Sequence, residues 1–229
     1  MSTNNLSTSA SDRFSLSAAA LHILAMVLML MDHLWATLLP AQDWLTCAGR
    51  LAFPIFCFLL VEGFAYTHNV KGYLGRLALF GLLSEVPFDL AFFRTPFDFS
   101  AQNVYWTLAL GVLAMAGLKH FEKPDGSASW KGLLCAAGCT LAALLACTDY
   151  NGIGVLIICA LYLTRGDRKR QCIVGAVLFA WELTAPLAFV LVWFYNGQRG
   201  RCTPAMQKVF YWFYPVHLSV LAAVTNLLL

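Results

Sequence analysis

The sequence predicts an all-α integral membrane protein, a polytopic helical bundle of about eight membrane segments. Three observations carry that expectation. The chain is 60% hydrophobic and only 12% charged, with a mean hydropathy of +0.69, whereas a soluble domain is about 25% charged. Its apolar residues come in long runs between short polar turns, while barrel strands would alternate over about 10 residues. The net charge of +3 is small and the basic residues collect in the turns, as membrane topology requires, so nucleic acid is not an expected partner. The eight cysteines fall mostly inside apolar runs (Cys57, Cys135, Cys139, Cys159) with no paired framework. They read as small packing residues, and no metal or redox site is expected.

Residues 1–15 are rich in Ser, Thr and Asn and weakly charged, which predicts a disordered cytoplasmic tail ahead of one helical domain over 16–229. They lack a basic n-region and a small-residue cleavage site, so the first apolar run is not read as a removable signal. Ser15 or Ser17 can cap a first helix that runs to about Leu39. His22, Met26, Met29 and His33 share one of its faces at helical spacing, and packing is the simplest reading of the two methionines. After a turn at Pro40 to Asp43, a second helix covers Trp44 to Tyr66, with Pro54 predicted to kink it. Ionisable residues inside such runs are expensive in lipid and mark a partner or a task. Counting about nine residues either way from Ala41 and Gln42 reaches Asp32, His33 and Arg50, all roughly 10 to 14 Å below the turn. His22 and Glu62 come level near the opposite face.

A third helix, Gly72 to Phe93, carries Arg76, Glu85 and Asp89, with Pro87 between the acids. Equal distance from Asn69 makes Glu62 and Arg76 a candidate pair, the alternative being that both snorkel. Asp89 returns to the depth of Arg50. A fourth helix covers Asn103 to Lys119, and Asn103 and Thr107 face one way. A fifth, Gly132 to Cys147, is rich in Ala, Gly and Cys and suits close helix contact. A sixth ends at Arg165, followed by a basic loop to Arg170. The stretch Cys172 to Asn196, with Trp181, Glu182 and Pro186 at its middle, fits either one kinked span or two short half-helices forming a re-entrant hairpin. A last helix covers Pro204 to Leu229. With the N-terminus inside, the turns at Lys71, Lys119 to Lys131 and Arg165 to Arg170 lie in the cytoplasm; a single span at 172–196 would put Arg199, Arg201 and Lys208 outside, against the positive-inside rule. The re-entrant pair is therefore preferred.

The segments MLMDHL (29–34), GRLAFPIFCFLLVEGFAYT (49–67), SEVPFDLAF (84–92), NVYWTLALG (103–111), DYNGIGVL (149–156), YNGQRG (195–200) and FYPVHL (213–218), in that order, together resemble the TraX family of polytopic bacterial membrane proteins. The resemblance covers Leu21 to about Leu221. Its founding member acetylates the N-terminus of a conjugative pilin, so the likeness implies an acyltransferase of the bacterial inner membrane with acetyl-CoA as donor. It does not fix the acceptor, which could be a protein N-terminus, a glycan or a small molecule. Trp35 departs from the pattern, since a small residue is expected after Asp-His-Leu, and it could narrow the site mouth.

Acyl transfer needs a base for the attacking group and a donor for the oxyanion. His33 is the better base, with Asp32, Arg50 and His217 completing the catalytic candidates. Asp32 cannot easily reach its neighbour His33, because adjacent helical side chains point about 100° apart; it serves Arg50 or orients His217. A structural ion pair is the competing reading of Asp32 and Arg50. Glu62, Glu85, Asp89, Asn103, Thr107, Asp149 and Tyr214 are the candidate substrate contacts. Tyr195, Asn196, Gly197, Arg199 and Gly200 are the candidate donor contacts, joining glycines that expose backbone N–H groups to guanidinium charge. The competing readings are a transporter whose buried charges line a path, and an accessory membrane subunit; the lack of an internal repeat counts against many transporter folds.

Overall fold

The structure, a computed structural model, describes residues 15–228 of the chain, so the N-terminal tail read from the sequence falls almost wholly outside the described residues. Among the described residues the regular structure is helical, with two isolated bridges and no strand. Helix α1 (Ala18–Thr37) starts where the Ser17 hydroxyl accepts the Ala20 N–H at 3.3 Å, the usual satisfaction of an orphaned first-turn donor. The second apolar run forms two helices, α2 (Asp43–Gly49) and α3 (Ala52–Tyr66). Pro54 explains the break. Its ring removes the N–H that would reach the Arg50 carbonyl and collides with that carbonyl, so the predicted kink falls at Arg50 and Leu51.

Helix α4 (Val70–Phe92) is capped by Asn69, which accepts from Gly72 N–H at 2.8 Å. Asn103 caps α5 (Val104–His120), and Ser129 caps α6 (Trp130–Leu145). α5 and α6 approach closely because a Cβ at Gly117 would meet Cys135 Cβ at 2.6 Å and one at Gly132 would meet Leu118 Cα at 3.2 Å. α7 (Asn151–Leu163) follows a turn, and α8 (Arg168–Leu178) is capped by Asp167. A 3-10 turn at Ala185–Leu187 leads into the short α9 (Ala188–Trp193), and α10 (Pro204–Leu228) closes the chain. Pro215 inside α10 leaves the Tyr211 carbonyl without its helical partner, and Tyr105 Oη donates to it at 3.0 Å.

Stretch 172–196 is thus two short limbs. The Arg168 guanidinium at the start of α8 lies 4.9 Å from the Tyr195 ring just past α9, so both limbs begin and end at the same end of the bundle. The tip between them reaches inward to Arg50. α3 is the central helix, packed on α1, α5, α7 and α9, and its Ile55, Phe58, Val61 and Phe64 are buried. Among the described residues, two stretches are long and apolar enough to cross a membrane: Ala18–Thr37, and Asp43–Tyr66 taken as one. The outward faces are aliphatic, with Leu82, Leu133, Leu144 and Leu145 exposed.

Charge sorts by end. One end gathers the turn before α4, the α5–α6 connection, the turn before α8, and the loop before α10, where the Leu16–Tyr195 bridge also lies. Nearly all described lysines and arginines sit in its half; Arg50 and Arg94 are the exceptions. The opposite end, tied together by the Gln102–Thr148 bridge, holds Asp43, Asp98 and Asp149.

Candidate active site along the first helix

A cavity of about 1550 Å³ runs beside α1. Ala18, His22, Met26, Met29 and His33 all line it, so the face predicted from helical spacing is the cavity wall, and the methionines border space as well as packing neighbours. From Ala18 to His33 the wall extends about 22 Å at roughly 1.5 Å per residue.

At the acidic end, α1 and α2 come together because residue 49 is glycine: a Cβ there would meet Asp32 Cα at 2.7 Å. This closeness lets Thr46 Oγ1 donate to Asp32 Oδ1 at 2.8 Å and puts Arg50 Nε 3.8 Å from the same oxygen. The closer partner of Arg50 is one the sequence reading left out. Its Nη1 donates to Glu182 Oε1 at 2.9 Å, from the tip between α8 and α9. Glu182 is 6% exposed, and its Oε2 has no partner. The sequence signal was there, since an acid in an otherwise apolar run is rarely idle. Asp149 and Tyr150 complete this end, Tyr150 in a left-handed conformation (φ 60) with its ring stacked 3.6 Å from that of Phe53. Burial in the protein pushes the Asp149 carboxyl up to about 7; the Tyr150 N–H and Arg50 oppose this, and the nearby Asp32 and Glu182 carboxylates reinforce it. Three carboxyl groups therefore surround one guanidinium.

His33 and His217 form one unit. His33 Nδ1 lies 2.7 Å from His217 Nε2, and His217 Nδ1 lies 2.7 Å from the Phe213 carbonyl oxygen. A carbonyl only accepts, so His217 carries its proton on Nδ1, and its neutral Nε2 must accept. His33 then carries its proton on Nδ1 and keeps a bare lone pair on Nε2. His33 lines the cavity and His217 stands behind it. Tyr214, also on the cavity wall, sets its ring edge-on to His33 at 5.9 Å.

At the basic end, Arg76, Arg199, Lys208 and Gln207 line the same cavity with Tyr195 and Gly197. Arg76 is held by Tyr73 and Tyr211, whose ring centres lie 5.6 and 5.9 Å from the guanidinium carbon. The YNGQRG loop does not present its backbone as a phosphate cradle. Its Gln198 and Arg199 carbonyls accept the Ala18 and Ala19 N–H groups at 2.9 and 3.1 Å, so it latches the start of α1. Gly200, at φ 74, is needed because a Cβ there would meet Ser17 Cβ at 2.6 Å. Asn196 Oδ1 accepts the Gln198 N–H at 2.9 Å inside the loop. Asn196 and Gly200 are thus latch residues off the cavity, and side-chain charge from Arg199, Arg76 and Lys208 is what faces it.

Several expected substrate contacts lie elsewhere. Glu62 lines the cavity but pairs with Arg165 at 3.8 Å rather than with Arg76. Asp89 is buried and accepts the Asp98 N–H at 2.9 Å, with no contact to Arg50. Glu85 accepts from Trp106 Nε1 at 2.9 Å and from Asn103, which also donates to the Gly81 carbonyl at 2.9 Å; these bonds knit α4 to α5. Thr107 bonds Thr148 Oγ1 at 3.0 Å and the Asp149 carbonyl, fixing the turn that carries Asp149. None of Glu85, Asp89, Asn103 and Thr107 lines the cavity.

A family model described as TraX protein matches residues 17–225. The probable fimbrial assembly protein FimC, serogroup H1, of Dichelobacter nodosus is 30% identical over 238 residues, covering 90% of this chain and 95% of that protein. No solved structure matches.

Proposed function

The chain belongs to the TraX family, and from that premise we propose that it is a membrane-embedded acyltransferase, using acetyl-CoA from the cytoplasm to acetylate an amine or hydroxyl acceptor. In this reading it spans the bacterial inner membrane with its N-terminus and its basic end inside. The tip between α8 and α9 is re-entrant, and the acceptor arrives from the membrane or the outer side. The name of the Dichelobacter nodosus relative supports an acceptor that is part of a surface fibre. The aliphatic outward faces and the charge sorting support the orientation.

The observation that carries the reading is continuity: one cavity joins the three cations at its basic end to the bare nitrogen of His33. Acetyl-CoA fits such a site, because Arg76, Arg199 and Lys208 answer phosphate charge and the wall between them and His33 is long enough for a pantetheine arm. The donor supplies an activated thioester carbonyl. His33 Nε2 takes the proton of the attacking group as that group bonds to the carbonyl carbon, then returns it to the departing thiolate, a role worth about 10² to 10⁴ in rate. His217 fixes the tautomer that leaves Nε2 bare.

The test is direct. Purified protein in lipid nanodiscs is incubated with radiolabelled acetyl-CoA and the native membrane fraction, with His33→Gln in parallel. Label in a membrane component with the native chain and not with the variant is expected. Label in neither, with both proteins folded, would remove the acyltransferase reading.

A further inference from the structure

Beside the main cavity lies a smaller one of about 340 Å³, opening on the side of the bundle between α1, α2 and the α8–α9 tip. Trp35, Cys47, Trp181 and Leu183 form its walls, and Arg50 and Glu182 lie where it meets the main cavity. Among the described residues, Trp35 Nε1 is a buried donor without an acceptor, and Glu182 Oε2 is a buried acceptor without a donor. Buried polar groups in folded proteins nearly always have partners, so two in one pocket point to a ligand.

The depth of the pocket shows where that ligand comes from. Trp35 and Cys47 lie about five residues either side of the turn at Ala41 and Gln42, roughly 8 Å below it. Trp181 and Leu183 are 57% and 93% exposed, and Trp44, one turn nearer the end on α2, is 61% exposed. Tryptophans gather at this depth in membrane proteins, level with the lipid headgroups. The pocket therefore opens sideways into the headgroup layer, with apolar surface at its mouth.

The polar groups then select the lipid. Glu182 Oε2 needs a donor, and Trp35 Nε1–H needs an acceptor. Arg50, which engages Thr46 through Nε and Glu182 through Nη1, adds positive charge beside an anionic group. Asp32, Asp149 and Glu182 together outnumber that guanidinium, so a ligand of net negative charge is disfavoured. We propose that the side pocket binds a phospholipid of the phosphatidylethanolamine class, its ammonium on Glu182, its phosphate receiving Trp35 Nε1–H beside Arg50, and its acyl chains running out past Trp181 and Leu183. The quaternary nitrogen of a choline headgroup has no N–H to give Glu182. Phosphatidylglycerol brings charge of the wrong sign. The bound headgroup ties the tip to α1 and α2 and so holds Glu182 where Arg50 meets it. This site rests on the membrane reading and is independent of acyl transfer.

Cys47 reports occupancy, because it is a free, exposed thiol on the pocket wall, and the exposed Cys147, off this pocket, serves as the internal reference. The full chain is placed in nanodiscs of phosphatidylcholine alone, or with about a fifth of it replaced by phosphatidylethanolamine or phosphatidylglycerol of the same acyl chains. It is alkylated with N-ethylmaleimide, and both cysteines are followed by peptide mass mapping. Phosphatidylethanolamine should slow Cys47 relative to Cys147 at least about fivefold, and phosphatidylglycerol should not. Trp35→Phe should need about tenfold more phosphatidylethanolamine for the same protection, and Glu182→Gln should erase the preference for it. Soluble glycerophosphoethanolamine added to phosphatidylcholine discs should give no protection; full protection by it would assign the pocket to a soluble ligand and overturn the lipid site. Equal rates in all three discs would overturn it too, with the membrane reading intact. A chain that stays soluble without detergent and does not enter discs would remove the membrane reading and this site with it.

Discussion

Arg50 Nη1 meets Glu182 Oε1 at 2.9 Å across 132 residues of chain, while its Nε stands 3.8 Å from Asp32. The Glu182 side chain is 4% exposed, so its carboxylate depends on that guanidinium. Arg50→Ala should destabilise the protein by about 3 kcal/mol, because a buried charge then loses its partner. Arg50→Ala with Glu182→Gln should recover most of that loss, and Asp32→Asn alone should cost clearly less than Arg50→Ala. Unfolding monitored in detergent ranks the three; a larger loss from Asp32→Asn would reverse the assignment of partners.

The same contacts show what a linear sequence can and cannot carry. Rise per residue is constant, so counting from a turn places Asp32, His33 and Arg50 at one height, and in the structure they do share the acidic end. Height is not azimuth. Glu62 and Arg76 are equally far from their turn, yet Glu62 faces Arg165 and Arg76 faces Tyr211, because helix rotation is set by packing across the whole bundle. Asp89, Asn103 and Thr107 failed as cavity residues for that reason. Loop charge was a better guide to 172–196, since the two limbs return to one end as the lysines and arginines required. Glu182 was seen in the sequence but not placed in the site, because its partner belongs to a helix far away in sequence.

In the proposed reaction the histidine pair divides into a base and a residue that positions it. His33→Ala should lower kcat by about 10² to 10⁴ with acetyl-CoA binding kept. His217→Ala should lower it less, by freeing His33 to adopt the other tautomer. His217→Gln keeps an oxygen that can accept from His33 Nδ1–H and should restore part of the rate. Measured kcat values in that order support the assignment. A full rate in His33→Ala with loss in His217→Ala would move the base to α10.

In the proposed reaction Arg199 and Lys208 address the donor rather than the chemistry. Arg199→Ala should raise KM for acetyl-CoA about tenfold with little change in kcat, the pattern of lost uniform binding. Gly200→Ala should act differently, lowering stability through the crowded Ser17 contact. Equal loss of kcat in Arg199→Ala would place this arginine nearer the reacting atoms than the cavity does.

The proposed orientation rests on charge sorting. Cysteines placed at Lys71, Lys123, Arg168 and Arg199, in a chain lacking its native cysteines, should react with an impermeant reagent only from the cytoplasmic side. Those at Asp43 and at the exposed Phe97 should react from outside. Outside labelling at position 199 would exclude both the re-entrant tip and a cytoplasmic donor site.

Asp149 gives the pH dependence. Its carboxyl titrates at about 7 in the folded protein because burial disfavours its charge, against an ordinary value near 3.9 when unfolded. Below about pH 4 both states hold the proton, and its contribution to stability is fully present. As pH rises the unfolded state ionises first, so stability falls between about 4 and 7 and levels off above. Each unit is worth about 1.4 kcal/mol, and the cavity face of Asp149 leaves part of it open, which reduces the loss to about 2 kcal/mol. Asp149→Asn removes this term. The melting temperature of the native chain minus that of Asp149→Asn should therefore drop by about 3 to 5 °C between pH 5 and pH 8. A difference that stays flat, or rises, would mean that Asp149 is ionised in its pocket throughout, with Arg50 as its effective partner.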